Sequence, residues 1–191
     1  MSRAIPLAGL TTLLATFPLI VAAYREGPAP AMTGGFGEKT CHTCHFDNPL
    51  NAKGGWLRVD GVPPGYTPGQ EYAISVLVHR AGIKRAGFEL AVRFTGGAAK
   101  GQQAGTLRAP DARTQIISAP GGSIRYIQHT KLGSDLVASA EGRWTIEWTA
   151  PAAPASAVVF HVAGNAANDD ASPLGDFIYT TTVTSRPNPR N

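Results

Sequence analysis

Residues Cys41-His42-Thr43-Cys44-His45 set two thiols three positions apart, with an imidazole directly after the second. This is the C-x-x-C-H arrangement of covalent haem attachment. Each thiol can add to one vinyl group of a porphyrin, and His45 can then reach the iron as its proximal axial ligand. A turn of helix suits the task, because residues i and i+3 lie on one face and present both sulfurs to the same porphyrin edge. The chain has only 2 Cys. Two cysteines scattered over a chain of this length fall at that spacing about 1 % of the time, so chance is a poor account of the pair.

Three other chemistries use the same residues. A disulfide between Cys41 and Cys44 would close a loop too short to stabilise much. A thioredoxin-type pair belongs in a βαβ context, which the neighbouring sequence lacks. Zinc could take both thiols with His42 or His45, although the second half of a finger pattern is missing. One haem c per chain is the leading expectation.

An iron held by His45 on one side can take a second axial ligand from elsewhere in the chain. Met32, nine residues before Cys41, brings a thioether within reach, although an ordinary linker methionine is the plainer reading. In Arg125-Tyr126-Ile127-Gln128-His129-Thr130, His129 ends an apolar run and opens a loop, a position from which a ring can project toward a haem at the edge of a domain. By alternation His79 and His161 fall on the more polar faces of their segments, which predicts solvent-facing or rim positions. Oxygen-rich Gly164-Asn165-Ala166-Ala167-Asn168-Asp169-Asp170, with Asp176 soon after, does not match the EF-hand spacing. A turn network of Asn and Asp side chains fits it better.

These residues need an address and a scaffold. Residues 1–23 open with a single basic side chain, Arg3, and continue without charge to Ala23. This reads as a secretory signal peptide cut ahead of Tyr24, or as an anchor if it is left uncut; the membrane enters the expectation only in that second case. The mature domain is expected to be periplasmic, secreted or at the cell surface, in a compartment that would oxidise the two thiols unless haem met them first. Residues 24–54 comprise a Gly/Pro-rich linker, residues 24–40, that reads as a flexible lead, and the C-x-x-C-H haem segment, which Phe46-Asp47-Asn48-Pro49 closes. A hydrophobic share of 43 % and a charged share of 16 % suit one globular domain with a real core. The formal charge of +4 is too small and dispersed to point to nucleic acid.

Beyond residue 54 the hydrophobic period becomes two. Residues 56–62, 71–80, 87–94, 102–107, 114–118, 124–130, 143–149, 157–163 and 176–184 alternate or carry apolar runs of strand length between turn signals. The pattern predicts an all-β, immunoglobulin-like antiparallel β-sandwich over residues 55–184, behind a short amino-terminal haem-attachment segment and ahead of a polar tail, residues 185–191. A closed barrel is the alternative. Neither a phosphate-binding loop nor a serine-hydrolase elbow occurs in the sequence.

Several pieces, in order, resemble a bacterial relative of the Reeler (reelin N-terminal) domain, also found in choice-of-anchor domain proteins. They are Thr33-Gly34-Gly35 ahead of the C-x-x-C-H run, Gly65-Tyr66-Thr67-Pro68-Gly69-Gln70, Gly87-Phe88-Glu89-Leu90 and Gln103-Ala104-Gly105. Further on come Tyr126-Ile127-Gln128-His129-Thr130, Trp144-Thr145-Ile146-Glu147-Trp148, Ala163-Gly164-Asn165-Ala166-Ala167-Asn168 and Gly175-Asp176-Phe177-Ile178-Tyr179-Thr180. The resemblance implies an exported immunoglobulin-like sandwich whose C-x-x-C-H segment looks built for haem, and it makes His129 the first choice for the distal ligand. It also implies a carboxy-terminal anchor or sorting segment, from which the polar tail departs.

The function expected is that of an exported monohaem c-type protein passing electrons to a redox partner protein, an electron carrier and not an enzyme. Cys41 and Cys44 would hold the haem, with His45 proximal and His129, or more weakly Met32, distal. The alternative is a cell-surface binding or adhesion module with a structural or metal-binding Cys pair.

Overall fold

Alternating apolar side chains on extended backbone can be buried only by laying one sheet against another. The computed structural model, which describes residues 25–189, shows this. Residues 1–23, expected as the signal peptide or anchor, and the cut ahead of Tyr24 lie outside the described residues. Among those residues the strands are β1 (Gly55–Asp60), β2 (Gly65–Tyr66), β3 (Glu71–Arg80), β4 (Arg85–Phe94), β5 (Thr106–Arg108), β6 (Thr114–Ile117), β7 (Tyr126–His129), β8 (Glu141–Thr149), β9 (Val158–Ala167) and β10 (Phe177–Pro187). One sheet has the order β1-β3-β8-β5 and the other β2-β10-β9-β4-β7-β6. All pairings are antiparallel except the short parallel one between β2 and β10. The result is the expected two-sheet sandwich and not a closed barrel.

Each of the nine runs predicted from alternation overlaps a strand, residues 102–107 only at their end, where β5 begins at Thr106. On β8 the pattern is clean: Trp144, Ile146 and Trp148 are buried, whereas Arg143 and Thr145 are exposed. The two indoles meet the opposite sheet, Trp144 against Phe88 at 4.6 Å and Trp148 against Phe160 at 5.0 Å between ring centroids. Their N–H groups are satisfied by Gly133 O and Ala104 O, each at 2.9 Å. Aromatic rings of this size dominate the burial of a sandwich core.

β4 departs from simple alternation. Its even residues, Ala86, Phe88, Leu90, Val92 and Phe94, belong to the core between the sheets. Its odd residues Gly87, Glu89, Ala91 and Arg93 face outward and are buried as well, because the segment before the strands lies across them. That segment, expected to be a flexible lead, is pinned. Glu38 pairs with Arg93, and its Oε1 accepts from Tyr126 Oη at 2.5 Å. Its Oε2 accepts from Thr33 Oγ1 at 2.5 Å, and Arg93 Nη2 donates to Tyr126 Oη at 2.7 Å. Gly35 rests on the His161 ring so closely that a Cβ there would sit 2.5 Å from its Cγ. His161 is therefore half-buried, partly covered by Gly35 and Phe36. Burial, and then the charge of Arg93, hold its pKa down.

Two shorter findings complete the frame. β2 was not foreseen, and it exists because β10 runs on to Pro187, pairing Arg186 and Pro187 with Gly65 and Tyr66. Residues 185–187, expected to begin the polar tail, are thus strand, and Ser185 is fully buried. His79, expected at the surface, is half-buried and stacks on Trp56 at 5.2 Å.

Glu89 is a carboxyl with no exposed surface. Its Oε2 accepts from Met32 N at 2.5 Å. Burial pushes its pKa up to about 8, against the opposing pull of the Met32 and Ala31 backbone N–H groups. The folded chain therefore keeps a proton at Glu89 that the unfolded chain releases above about pH 4.5. Binding more protons when folded makes stability fall as pH rises. Urea unfolding from pH 5 to pH 8 should show wild-type stability dropping by up to a few kcal/mol more than that of Glu89→Gln. Parallel curves for the two chains would show that Glu89 is ionised throughout.

Candidate functional site

The C-x-x-C-H residues form a single 3-10 turn, Cys41–Thr43, capped by Thr40, whose Oγ1 accepts from His42 N at 3.2 Å. Cys44 N and His45 N both donate to Cys41 O, at 3.2 and 3.0 Å, so the turn closes on itself and sends His45 inward. His42 is tied elsewhere, with Nε2 2.9 Å from Asn48 O. The loop that follows is stapled to the start of β10: Asn48 Nδ2 donates to Asp176 O at 2.9 Å and Gly175 N to Asp47 Oδ2 at 3.1 Å.

Between this turn and the outer face of the six-stranded sheet lies a cavity of about 620 Å³, within the range of small-molecule and cofactor sites. Its wall includes Cys41, Cys44, His45, His129 and Met32. All five residues singled out in the sequence thus meet at one place, four from residues 32–45 and one from position 129.

His45 is held by a buried carboxylate. Its Nδ1 lies 2.8 Å from Asp176 Oδ2, and the Asp176 side chain is only 3 % exposed. Asp176 also accepts from Asn165 Nδ2 at 3.2 Å and from Asn168 N at 3.0 Å, so its orientation is fixed. A histidine whose Nδ1–H is bonded to a carboxylate presents Nε2 to a metal, with added basicity. His129 is 7 % exposed and stands where the β4–β7 ladder stops at Glu89↔Gln128. Its Nδ1 lies 3.1 Å from Phe88 N and 3.2 Å from Phe88 O, the two backbone groups that the next rung would have used. In the tautomer that donates to Phe88 O, Nε2 is the unprotonated ring nitrogen. The ring lies over Gly87, where a Cβ would come within 2.5 Å of Cε1.

Cys41 and Cys44 are free thiols. Burial, then the nearby Glu89 carboxylate, push the Cys41 thiol up to about 12, the opposite of the lowered pKa that a redox-active thiolate needs. Among the described residues no group of three or more His, Cys, Asp or Glu is placed to hold a bare metal ion. An iron already carried by a macrocycle needs only one or two protein ligands. Two thiols, two imidazoles and a thioether around one largely apolar cavity suit that case.

Asp176, Asn165 and Gly87 had not been singled out for the site. Asp176 and Asn165 had been read as part of a turn network, and the loop does form one: Asp170 N donates to Asn168 Oδ1 at 3.1 Å and Ser172 N to Asp170 Oδ1 at 2.9 Å. The pattern of turn residues gave no sign that one carboxylate of this loop faces His45.

No protein-family model matches the chain, and no curated protein does. The Reelin-N domain of F-spondin is similar in structure, with a TM-score of 0.50 at 18 % identity over 78 % of this chain and 97 % of that one. The chain has a Reeler-like fold. Two further neighbours are the human F-spondin reeler domain, with a TM-score of 0.46 at 18 % identity over 73 % and 95 % of the two chains, and a cohesin module from a Clostridium perfringens family 33 glycoside hydrolase, with a TM-score of 0.45 at 10 % identity over 72 % and 98 %. These likenesses concern the fold and transfer no residue's role.

The Reeler-like sheet positions His129 through Gly87, and that can be checked directly. Gly87→Val should displace the imidazole and cost about 1–3 kcal/mol by overpacking, measured by urea unfolding, with a change in the His129 ring signals by NMR. Unchanged stability and ring signals would show that the imidazole does not lie over Gly87.

Proposed function

We propose that this protein is an exported monohaem c-type electron carrier, with Cys41 and Cys44 as the covalent attachment points and His45 as the proximal ligand. The observation that carries the reading is the convergence of both thiols, His45, His129 and Met32 on one cavity, with His45 Nδ1 on the buried Asp176. Bound there, haem iron would supply one-electron oxidation and reduction.

The chain's own residues supply the rest. Asp176 keeps the His45 ring oriented and electron-rich, which favours the oxidised metal and a low potential. His129, fixed through Nδ1 by the Phe88 backbone, would be the second protein ligand to the iron, with Met32 the weaker candidate. Apolar groups on the wall such as Pro28, Ala29 and Ala167 would limit water at the metal. With two protein ligands the iron would keep no position open for oxygen or peroxide, so the activity expected of this reading is electron transfer to a redox partner protein and not catalysis.

A second reading, a cell-surface binding or adhesion module with a structural Cys pair, draws on the Reeler-like fold and on three exposed apolar side chains. Phe46, Leu50 and Leu174 are 63 %, 42 % and 45 % exposed. They ride on loops joined by the Asp47–Gly175 and Asn48–Asp176 hydrogen bonds, and apolar groups clustered in this way suit protein contact.

Expression in an export compartment with its haem-attachment machinery separates the two. The first reading expects a mass equal to polypeptide plus one haem and a Soret band that survives acid-acetone extraction, both lost in Cys41→Ser/Cys44→Ser. A colourless chain of bare polypeptide mass favours the second. In the haem-bearing chain His129→Ala should turn the reduced spectrum from low spin toward high spin, whereas Met32→Leu leaves it low spin; the reverse outcome would exchange their roles. Asp176→Asn should keep the haem and raise the midpoint potential by several tens of millivolts, about 59 mV being a tenfold change in a one-electron equilibrium. An unchanged potential would remove Asp176 from control of the metal.

A further inference from the structure

We propose that Arg25 and Arg85 form the anion-binding end of the cavity and take the two carboxylates of the porphyrin. This rests on the haem reading above and extends it to the opposite edge of the macrocycle from the thiols.

The register of β4 sets the arrangement. Alternate residues of a strand face the same side, so Glu89, Gly87 and Arg85 all point outward on β4, between the core residues Ala86, Phe88 and Leu90. They mark three levels about 7 Å apart. At the first level Glu89 holds Met32 N at 2.5 Å and lies close to Cys41. At the second, Gly87 carries the His129 ring and pairs with Asn165 of β9, whose Nδ2 is 3.5 Å from His45 Nδ1. At the third, Arg85 stands beside Arg25, both on the cavity wall. The thiols, the imidazoles and the guanidinium groups therefore follow one another along the strand over about 13 Å. A porphyrin attached through its vinyl groups presents features in the same order: thioether edge, metal, carboxylate edge.

The two arginines are already arranged by acids that leave them donors to spare. Arg85 Nη1 pairs with Asp135, Arg85 Nε lies 3.1 Å from Asp169 Oδ2, and Arg25 Nη2 lies 2.7 Å from Asp169 Oδ1. A guanidinium has five N–H groups, so each arginine keeps donors beyond these pairs. Ion pairs this exposed add little to stability, so holding the fold does not account for the cluster. A shallower hollow of about 450 Å³ adjoins it, lined by the same two arginines with Lys131 and Asp135. Three cations against two carboxylates leave this end positive and open to water, as carboxylates require, whereas the rest of the cavity is mostly apolar.

The test uses the full chain with its covalent haem, compared with Arg85→Gln, Arg85→Lys and Arg25→Gln. Mass spectrometry reports attachment, which depends on the thiols and not on the arginines. Resonance Raman of the porphyrin carboxylate bending modes reports the contact. Both Gln variants should retain haem, shift these modes and move the redox equilibrium about tenfold toward the oxidised form through loss of a nearby positive charge. Arg85→Lys should restore the equilibrium more than the modes, because Lys offers charge without the planar fork. Arg25→Gln, changing an exposed side chain ahead of the strands, keeps the test open if Arg85→Gln misfolds. Attached haem with unchanged bending modes in the Gln variants overturns the inference while leaving the haem reading intact. A wild-type chain without haem overturns both.

Discussion

The site depends on the attachment of the amino-terminal segment to the outer face of the six-stranded sheet through Arg93, Glu38 and Tyr126. Without it the C-x-x-C-H turn has nothing to face and there is no cavity. The ion pair is nearly buried, with side-chain exposures of 7 % and 11 %, so desolvation opposes it, and burial lowers the Arg93 pKa. Such a pair persists only when its remaining lone pairs and protons are bonded. Here Tyr126 Oη donates to Glu38 Oε1 at 2.5 Å and accepts from Arg93 at 2.7 Å, and Thr33 Oγ1 serves Glu38 Oε2. Removing one partner would strand a buried charge, typically at a cost of about 3–5 kcal/mol, and would loosen the segment that carries both thiols.

Much of the fold was legible in the sequence because a sheet with one solvated face writes its burial pattern locally. Trp144, Ile146 and Trp148 announce an inward face without knowledge of any other strand. What was illegible is nonlocal. Gly65 and Tyr66 become a strand only because residues 186 and 187 return beside them. His161, on a formally polar face, is partly covered by a loop more than a hundred positions earlier in the chain. Glycine misled for a related reason. It signals flexibility when nothing is near, but at Gly35 it is the only residue small enough to lie on an imidazole.

The site divides in the same way. Residue type and spacing single out both cysteines and His45, because the C-x-x-C-H run is a fixed local pattern, whereas His129 stands first among the remaining histidines only through the resemblance to the Reeler domain. Asp176 carries no such pattern. A carboxylate that orients a ligand from the far end of the chain looks, in sequence, like any other aspartate in a turn. The electrostatics then separate chemistries that the motif alone leaves open. A thiol pushed up to about 12 by burial and by Glu89 is a poor redox nucleophile.

β4 is where stability and site are bound together. Its even residues lock the sandwich, Phe88 against Trp144 at 4.6 Å being the tightest ring contact of the core, and its odd residues set the levels of the cavity. A slip of one residue would exchange the two faces, turning Phe88 into the cavity and Gly87 into the core. Ten consecutive pairs with β9, from Arg85↔Ala167 to Phe94↔Val158, forbid that slip. The long antiparallel ladder thus does more than close the sheet. It fixes which side chain stands at the thiols, which at the imidazoles and which at the arginines, so the core's demand for register is also what gives the site its geometry.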